Sequence, residues 1–470
     1  MSSIGPPTGM RDWLPQDALL RQHLMETISK VYRLYGYLPI DTPAMEDLSV
    51  LLGKGGGENE KLLFKVLKRG EKLAQAKDGE LADYGLRYDL TVPLARFVAT
   101  HQGKLPKVFR RYHIAPVWRA DRPQKGRFRE FYQCDIDVVG GASSAYEVEI
   151  ITATERVLKE LNLGQYWFRI NDKRLLKDLL LGFDVPDEKI YPVCTLLDKF
   201  DKISPIEFDL ELNNILGKGS AVWHKVRELA VRSTWSGVDH NILLSETTGY
   251  YEDQFKKITN RSILSRIDNV RASLDQIINT LREINPESRV IFHPLVVRGL
   301  DYYTGTVYEA VMHGDIKASI LGGGRYDDLI GQLAEKKIPA VGCSIGFERI
   351  LAILQERDQE RGASLVSTKL SRVLFIRDRM IEVELLQQAE RLREWLRGEG
   401  MSDRIYVEPY LDEDDVGKQY KYAESEKMTW AIKRFDAASA TVTARYLPER
   451  RDLTVSLAEF KTRLASRRPE

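Results

Sequence analysis

Residues 290–312 read VIFHPLVVRGLDYYTGTVYEAVM, two apolar stretches, 290–297 and 306–312, flanking the octet Arg298-Gly299-Leu300-Asp301-Tyr302-Tyr303-Thr304-Gly305. The flanks have the composition of buried β-strands. The octet does not, because it carries a guanidinium, a carboxylate and two phenols into an apolar setting. Unpaired charge buried there is costly, so such groups are paired, solvated in a cleft, or matched to a charged ligand. A ligand cleft accommodates all of them. A hairpin turn with a surface arginine, favoured by the two glycines, stands as the alternative.

Outward from this stretch the chain changes character several times. Apolar positions at Leu19, Leu20, Leu24, Ile28, Val31, Tyr32 and Tyr35 predict a helix over 17–35, ended by Gly36. A strand over 37–40 follows. Between 84 and 140, β-like runs at 86–90, 107–114 and 131–139 surround a helix at 92–101, and a helix at 145–161 and a strand at 166–170 come next. This is α+β text with an antiparallel sheet. Residues 174–284 then turn to helical periodicity, and β text returns only at 290. The block reads as an inserted domain; a helical half of the same core is the alternative. After a helix starting at 347 and a charged segment at 356–369, strands at 373–376, 405–407, 429–433 and 440–444 alternate with helices at 381–397 and 418–425. A last helix opens on the capping pair Ser456 and Glu459. The domain boundaries so drawn are 1–173, 174–286, 287–358, a linker at 359–370, and 371–470.

The chain has 470 residues, 43% of them apolar and 30% charged, with a formal net charge of +1. That length implies roughly two to four domains. The neutral balance gives no global signal for nucleic acid or membrane, so any polyanion site must be local. Three cysteines, Cys134, Cys194 and Cys343, are odd in number and far apart. They predict reduced structural thiols in a cytoplasmic protein, without a disulfide framework or zinc cluster. The amino terminus lacks a basic region before an apolar core, and no long apolar run occurs, which argues against export and membrane insertion.

Local clustering is present. Residues 104–129 hold nine basic side chains against the single acid Asp121, and RPQKGR at 122–127 suits phosphates or a nucleic-acid end; a merely solvated loop is the alternative. Gln133, Asp135 and Asp137 alternate with Cys134 and Ile136, putting polar groups on one strand face where a cationic or amide-bearing molecule could bind. Asp89 and Thr91, at the end of the 86–90 strand, offer similar chemistry. Glycine clusters at 53–57 and 322–324 allow close backbone approach, but neither ends in the GK[ST] of a phosphate-binding loop. Arg349 lies in the first turn of its helix, against the helix dipole, so an anionic partner such as a triphosphate is expected.

Taken in order, these residues resemble histidyl-tRNA synthetases of class II. TGMRDWLP (8–15), a first class II motif ending at Pro43, a second from Val117-Trp118-Arg119 to Gly140, RGLDYYTG (298–305), GGGRYDDL (322–329) and GFERI (346–350) span nearly the whole chain. RGLDYYTG is the most specific of them. The resemblance implies an antiparallel-sheet catalytic core with a helical insertion domain and a carboxy-terminal α/β anticodon-binding domain. It implies that histidine and ATP, with Mg2+, give histidyl-adenylate, and that histidine then passes to the 3′ end of tRNA(His). On matching positions, Arg298 and Arg119 would be catalytic at the α-phosphate and carboxylate. Arg119, Asp121, Arg127 and Arg349 would bind ATP. Asp89, Thr91, Gln133 and Asp137 would surround the amino group, and Tyr303 and Tyr326 the imidazole. Arg122, Gln124, Lys418 and Gln419 would meet tRNA. A homodimer is implied by the first motif, and the metal ligands are left unassigned.

LRYDLTVPLARF (86–97) resembles the archaeal and eukaryotic branch, whereas RPQKGR resembles bacterial members. A synthetase-like regulatory subunit, such as that of ATP phosphoribosyltransferase, is the competing reading, but such chains usually lose the octet's arginine and the last domain. Both are present here.

Overall fold

The structure is a computed structural model that describes the chain apart from residues 1–3, 54–57, 78–79, 124–126, 201–202, 233–254, 256–257, 298–301, 313–318, 335, 362–370, 403–404 and 467–470. It divides into two compact units, residues 1–354 and 355–470.

The first unit is built on an eight-stranded sheet. In spatial order its strands are Leu38–Pro39, Phe109–Trp118, Glu130–Val139, Ala340–Gly346, Ser319–Arg325, Thr306–Met312, Tyr166–Asp172 and Val290–Phe292. The two outermost pairings are parallel and every inner one is antiparallel. The fold is therefore α+β, as its sequence text predicts. The two-residue period of the Glu130–Val139 strand sends Cys134, Ile136 and Val138 to one face, each wholly buried. Helix Pro15–Leu34 buries Leu20, Leu24, Ile28, Val31 and Tyr32, and the Tyr32 hydroxyl donates to the Cys134 carbonyl at 3.5 Å. Helix Ala145–Glu160 adds Ile150, Ile151, Val157 and Leu158. The opposite face, bearing Gln133, Asp135 and Asp137, is left for chemistry.

Two expectations about the opening stretch need correction. The apolar run at 290–297 is a strand only over Val290–Phe292, because Pro294 supplies no N–H for a ladder. Nor do the two flanks of the octet pair with each other, since Tyr166–Asp172 lies between them. A simple hairpin is excluded.

Among the described residues, helices Lys173–Gly182, Asp187–Asp198, Pro205–Leu216, Ala221–Arg232 and Arg261–Ile284 separate Tyr166–Asp172 from Val290–Phe292. Asp172 ends its strand and caps the first of these helices, its side chain accepting from Arg174 N at 2.8 Å. The last buries Ile263, Ile267, Val270, Leu274, Ile277 and Leu281 at helical spacing. The chain thus leaves and re-enters the sheet at neighbouring strands. A three-stranded sheet of Met45–Asp47, Ala82–Leu86 and Lys65–Leu67 was not foreseen.

The second unit has a five-stranded sheet ordered Ile405–Pro409, Ser371–Phe375, Trp430–Asp436, Thr441–Tyr446 and Arg451–Ser456. Helices Glu382–Gly398 and Leu457–Ser466 cover a core with Phe375, Leu392, Trp430 and Phe460, and Val416–Ser425 contributes Ala423 to a second cluster with Leu374 and Ile376. The Ser456 hydroxyl accepts from Glu459 N at 3.2 Å, as the capping pair predicts. The strand Arg451–Ser456 escaped sequence reading because its burial is slight and its charges dominate.

Candidate functional site

Three neighbouring strands set the floor of the cleft by register. Asp137 stands opposite Arg111 and Gly342, Asp135 opposite His113 and Ser344, and Gln133 opposite Ala115 and Gly346. Opposed residues share a face, so a polar row is assembled from three separate segments. Asp137 is held twice: Tyr326 donates its hydroxyl to Oδ1, and Arg111 Nη2 lies 2.8 Å from Oδ2. A Cβ on Gly342 would sit 1.9 Å from Asp137 Oδ1, so only glycine leaves room for that carboxylate.

This floor is electrically unusual. Arg111 is 0% exposed and Asp135 and Asp137 are each 3% exposed. Burial pushes the Asp135 carboxyl up to about 7, with Arg111 opposing the rise. Burial likewise raises Asp137 and Asp89. A cluster richer in carboxylates than in guanidinium is suited to a cationic ligand. Gln133 Oε1 and Asp135 Oδ1 are buried acceptors without hydrogen-bond partners.

Asp89 is not on a strand as predicted. The strand ends at Leu86, and Asp89 lies in the turn before helix Thr91–His101, its Oδ1 accepting from Val92 N at 3.1 Å. An acid in this position satisfies an orphan helix N–H, which outweighs the strand propensity of 86–90.

The other half of the cleft is cationic. Arg119 donates from Nε to the Tyr88 carbonyl at 3.0 Å and lies over the Phe131 ring at 5.0 Å. Arg127 Nε is 3.8 Å from Asp121 Oδ2. Arg349, in the first turn of helix Phe347–Arg361, donates to the Ser319 carbonyl. Its neighbour Glu348 faces elsewhere, accepting from Arg21 Nη1 and from Tyr132 N, each at 3.1 Å.

One cleft of about 430 Å3 collects both halves. Asp89, Thr91, Gln133, Asp137, Tyr303 and Tyr326 line it, and so do Arg119, Asp121, Arg127 and Arg349. The Tyr302 ring lies 4.4 Å from that of Tyr303 and 6.2 Å from that of Tyr326, making an aromatic wall. Arg122 is exposed. Arg298 and Gln124 lie outside the described residues.

Lys418 and Gln419 belong to the second unit, and for Gln419 the predicted contact needs correction. It is 0% exposed. Its Oε1 accepts from Arg377 N at 2.9 Å, and its Nε2 donates to the carbonyls of Arg377 at 3.0 Å and Asp414 at 2.8 Å. The amide is consumed in joining a helix to a strand end, whereas Lys418 is exposed and paired with Asp414 at 3.0 Å.

Sequence reading passed over Arg111, Ser344 and Tyr302. Arg111 was counted with the basic run at 104–129, although the strand period already put it on the face of His113 and Ala115. Its burial was hidden because its acid partner lies on another strand, 26 positions on in sequence.

Known proteins similar to this chain share one family description. A family model described as "Histidyl-tRNA synthetase" matches residues 9–350. The chain is 38% identical over 366 residues to "Histidine--tRNA ligase" of Leifsonia xyli subsp. xyli, covering 75% of this chain and 81% of that one. It is 39% identical over 349 residues to the protein of the same description from Aeropyrum pernix, covering 74% and 73%. The crystal structure of histidyl-tRNA synthetase from Nostoc sp. PCC 7120 is similar with a TM-score of 0.77 and 26% identity, across 99% of this chain and 100% of that one.

Proposed function

The chain belongs to the histidyl-tRNA synthetase family, and from that membership we propose how the residues of the cleft divide the work. The family reaction is ATP-dependent: histidine is activated to histidyl-adenylate and then transferred to the 3′ end of tRNA(His). One observation carries the assignment of roles, namely that the carboxylate-rich floor and the three arginines line the same cleft.

At the cationic half, Arg119, Arg127 and Arg349 hold the triphosphate, with Asp121 orienting Arg127. A fixed guanidinium stabilises charge developing at the α-phosphate without having to move during the reaction. Arg119 has that character, because Tyr88 and Phe131 already hold it. Arg298 shares the role at the α-phosphate and the substrate carboxylate. Among the described residues no group of three His, Cys, Asp or Glu side chains could hold a metal.

At the other half, Asp89, Thr91 and Gln133 receive the α-ammonium. Asp137 joins Tyr303 and Tyr326 at the imidazole rather than the amino group, because its Oδ1 is already tied to the Tyr326 hydroxyl. A site that hydrogen-bonds the ring rejects apolar side chains by leaving these buried groups unpaired.

Arg122, Gln124 and Lys418 are the contacts we assign to tRNA. Residues 1–173 and 287–358 form the catalytic core, 174–286 an inserted helical domain, 359–370 a linker and 371–470 the anticodon-binding domain. The chain pairs as a homodimer through the first motif, supported by Leu34 and Leu38 at 75% and 63% exposure beside a sheet edge. Three buried, free cysteines support a cytoplasmic setting, and no helix among the described residues is long and apolar enough to cross a membrane.

Purified protein given ATP, labelled pyrophosphate and single amino acids in turn should exchange label with histidine and not with the others. Folded protein that gives no exchange with histidine would refute the assignment.

A further inference from the structure

We infer that residues 8–11 form a brace for the nucleotide half of the cleft: through the positioning residue Arg129 they fix the two chain arms that carry Arg119, Asp121 and Arg127 to the triphosphate. The inference rests on the reading of that half as the ATP site. It gives a role to TGMRDWLP, which that reading leaves without one.

Strands Phe109–Trp118 and Glu130–Val139 are paired up to Trp118 opposite Glu130. Beyond that pair the arms at 119–123 and 127–129 leave the ladder, and the conformational entropy lost in ordering them must be offset by ties made elsewhere. Arg129 supplies several. Its carbonyl accepts from Arg119 N at 2.8 Å, and its own N donates to the Gly9 carbonyl at 2.8 Å. From its side chain, Nε donates to the Asp121 carbonyl at 3.1 Å and Nη1 to the Thr8 carbonyl at 3.4 Å. One residue therefore joins the amino-terminal segment to both arms. Asp121 is held by its backbone in this way, and its carboxylate stands 3.8 Å from Arg127 Nε.

The segment also presses on both arms directly. Gly9 has φ +84°, and a Cβ there would lie 2.9 Å from Arg129 Cγ and 2.9 Å from Pro123 Cγ. Only glycine permits that conformation together with so close an approach. Arg11 makes a further grip, its guanidinium lying 3.8 Å from the centre of the Trp13 ring and 3.8 Å from that of Phe128. Its Nε and Nη2 are buried without a hydrogen-bond partner, so the two ring faces account for the seat of this cation. Phe128 in turn lines the cleft beside Arg127.

Equilibrium dialysis with labelled ATP and, separately, labelled histidine tests the brace without requiring turnover. Gly9→Ala should weaken ATP by about tenfold, the scale of one misplaced hydrogen bond to a charged group, and leave histidine within about twofold. This substitution neither adds nor removes charge, so an effect on ATP arises through position. Arg129→Met keeps the backbone bonds and loses both side-chain bonds; it should weaken ATP in the same sense. Arg129→Lys, with a single donor group, should fall between Arg129→Met and wild type. If Gly9→Ala does not fold, the two Arg129 variants carry the test. Equal weakening of ATP and histidine would overturn the inference in favour of general support of the cleft, and unchanged ATP binding in Arg129→Met would overturn it outright. Selective loss of ATP in the variants of a protein whose wild type gives no histidine-dependent exchange would keep the brace and sink the histidine reading. Wild-type protein that binds no ATP would overturn both.

Discussion

At the scale of single residues, the cleft depends on a glycine as much as on its acids. Gly342 leaves the only space in which Asp137 can stand between Arg111 and Tyr326. Gly342→Ala should therefore displace the carboxylate and raise KM for histidine by about tenfold or more, with less effect on KM for ATP. Steady-state exchange kinetics with each substrate varied would show the split; equal effects on both constants would contradict it. Asp135 yields a second prediction, in pH. Its carboxyl is pushed from an ordinary value of 3.8 up to about 7 by burial. Between those values the folded state binds more protons than the unfolded one, so this group's contribution to stability is full below the ordinary value. It is lost as pH rises through the folded value. Asparagine does not titrate. Asp135→Asn should thus gain stability relative to wild type between about pH 4 and about pH 7, a trend that denaturant unfolding at several pH values would reveal.

At the scale of elements, a buried ion pair ties helix Pro15–Leu34 to the first turn of helix Phe347–Arg361. Arg21 meets Glu348 at 3.1 Å, with side chains only 8% and 7% exposed. Removing the arginine strands a buried carboxylate, so Arg21→Met should cost about 3 kcal/mol of unfolding free energy, measurable by denaturant titration. A change well under 1 kcal/mol would mean that solvent or Tyr132 N suffices for Glu348. Legibility in sequence divides at this scale. Thr306–Met312 was read to the residue, because its apolar run is bounded by Gly305 and its length fits a strand. The row Gln133, Asp135 and Asp137 was read as one polar face, since local period alone decides which face a strand residue takes. Register was not legible. Nothing near Arg111 in the chain says that it lies opposite Asp137, and nothing near residue 290 says that Tyr166–Asp172 separates the two flanks of the octet. Asp89 was misread because helix capping competes with strand propensity over the same few residues. Gln419 was misread because resemblance carries a residue's position but not its burial.

At the scale of the whole molecule, the two units have separate cores, and the residues of the candidate cleft come from the first alone. Removing residues 369–470 should consequently leave histidine-dependent pyrophosphate exchange measurable while depressing tRNA(His) charging by at least about a hundredfold, roughly 3 kcal/mol of lost transition-state stabilisation. Parallel loss of both activities would show that the second unit supports the cleft itself. On the proposed division of roles, one cleft recognises the histidine ring at Asp137 and Tyr326 and handles the triphosphate at Arg119 and Arg349. A crystal structure with histidinol and ATP tests it most directly. The imidazole should lie within hydrogen-bonding distance of Asp137 and Tyr326, the amine at Gln133, and the phosphates should run from Arg119 to Arg349. An imidazole bound anywhere else, or phosphates lying against the Asp135 and Asp137 floor, would contradict it.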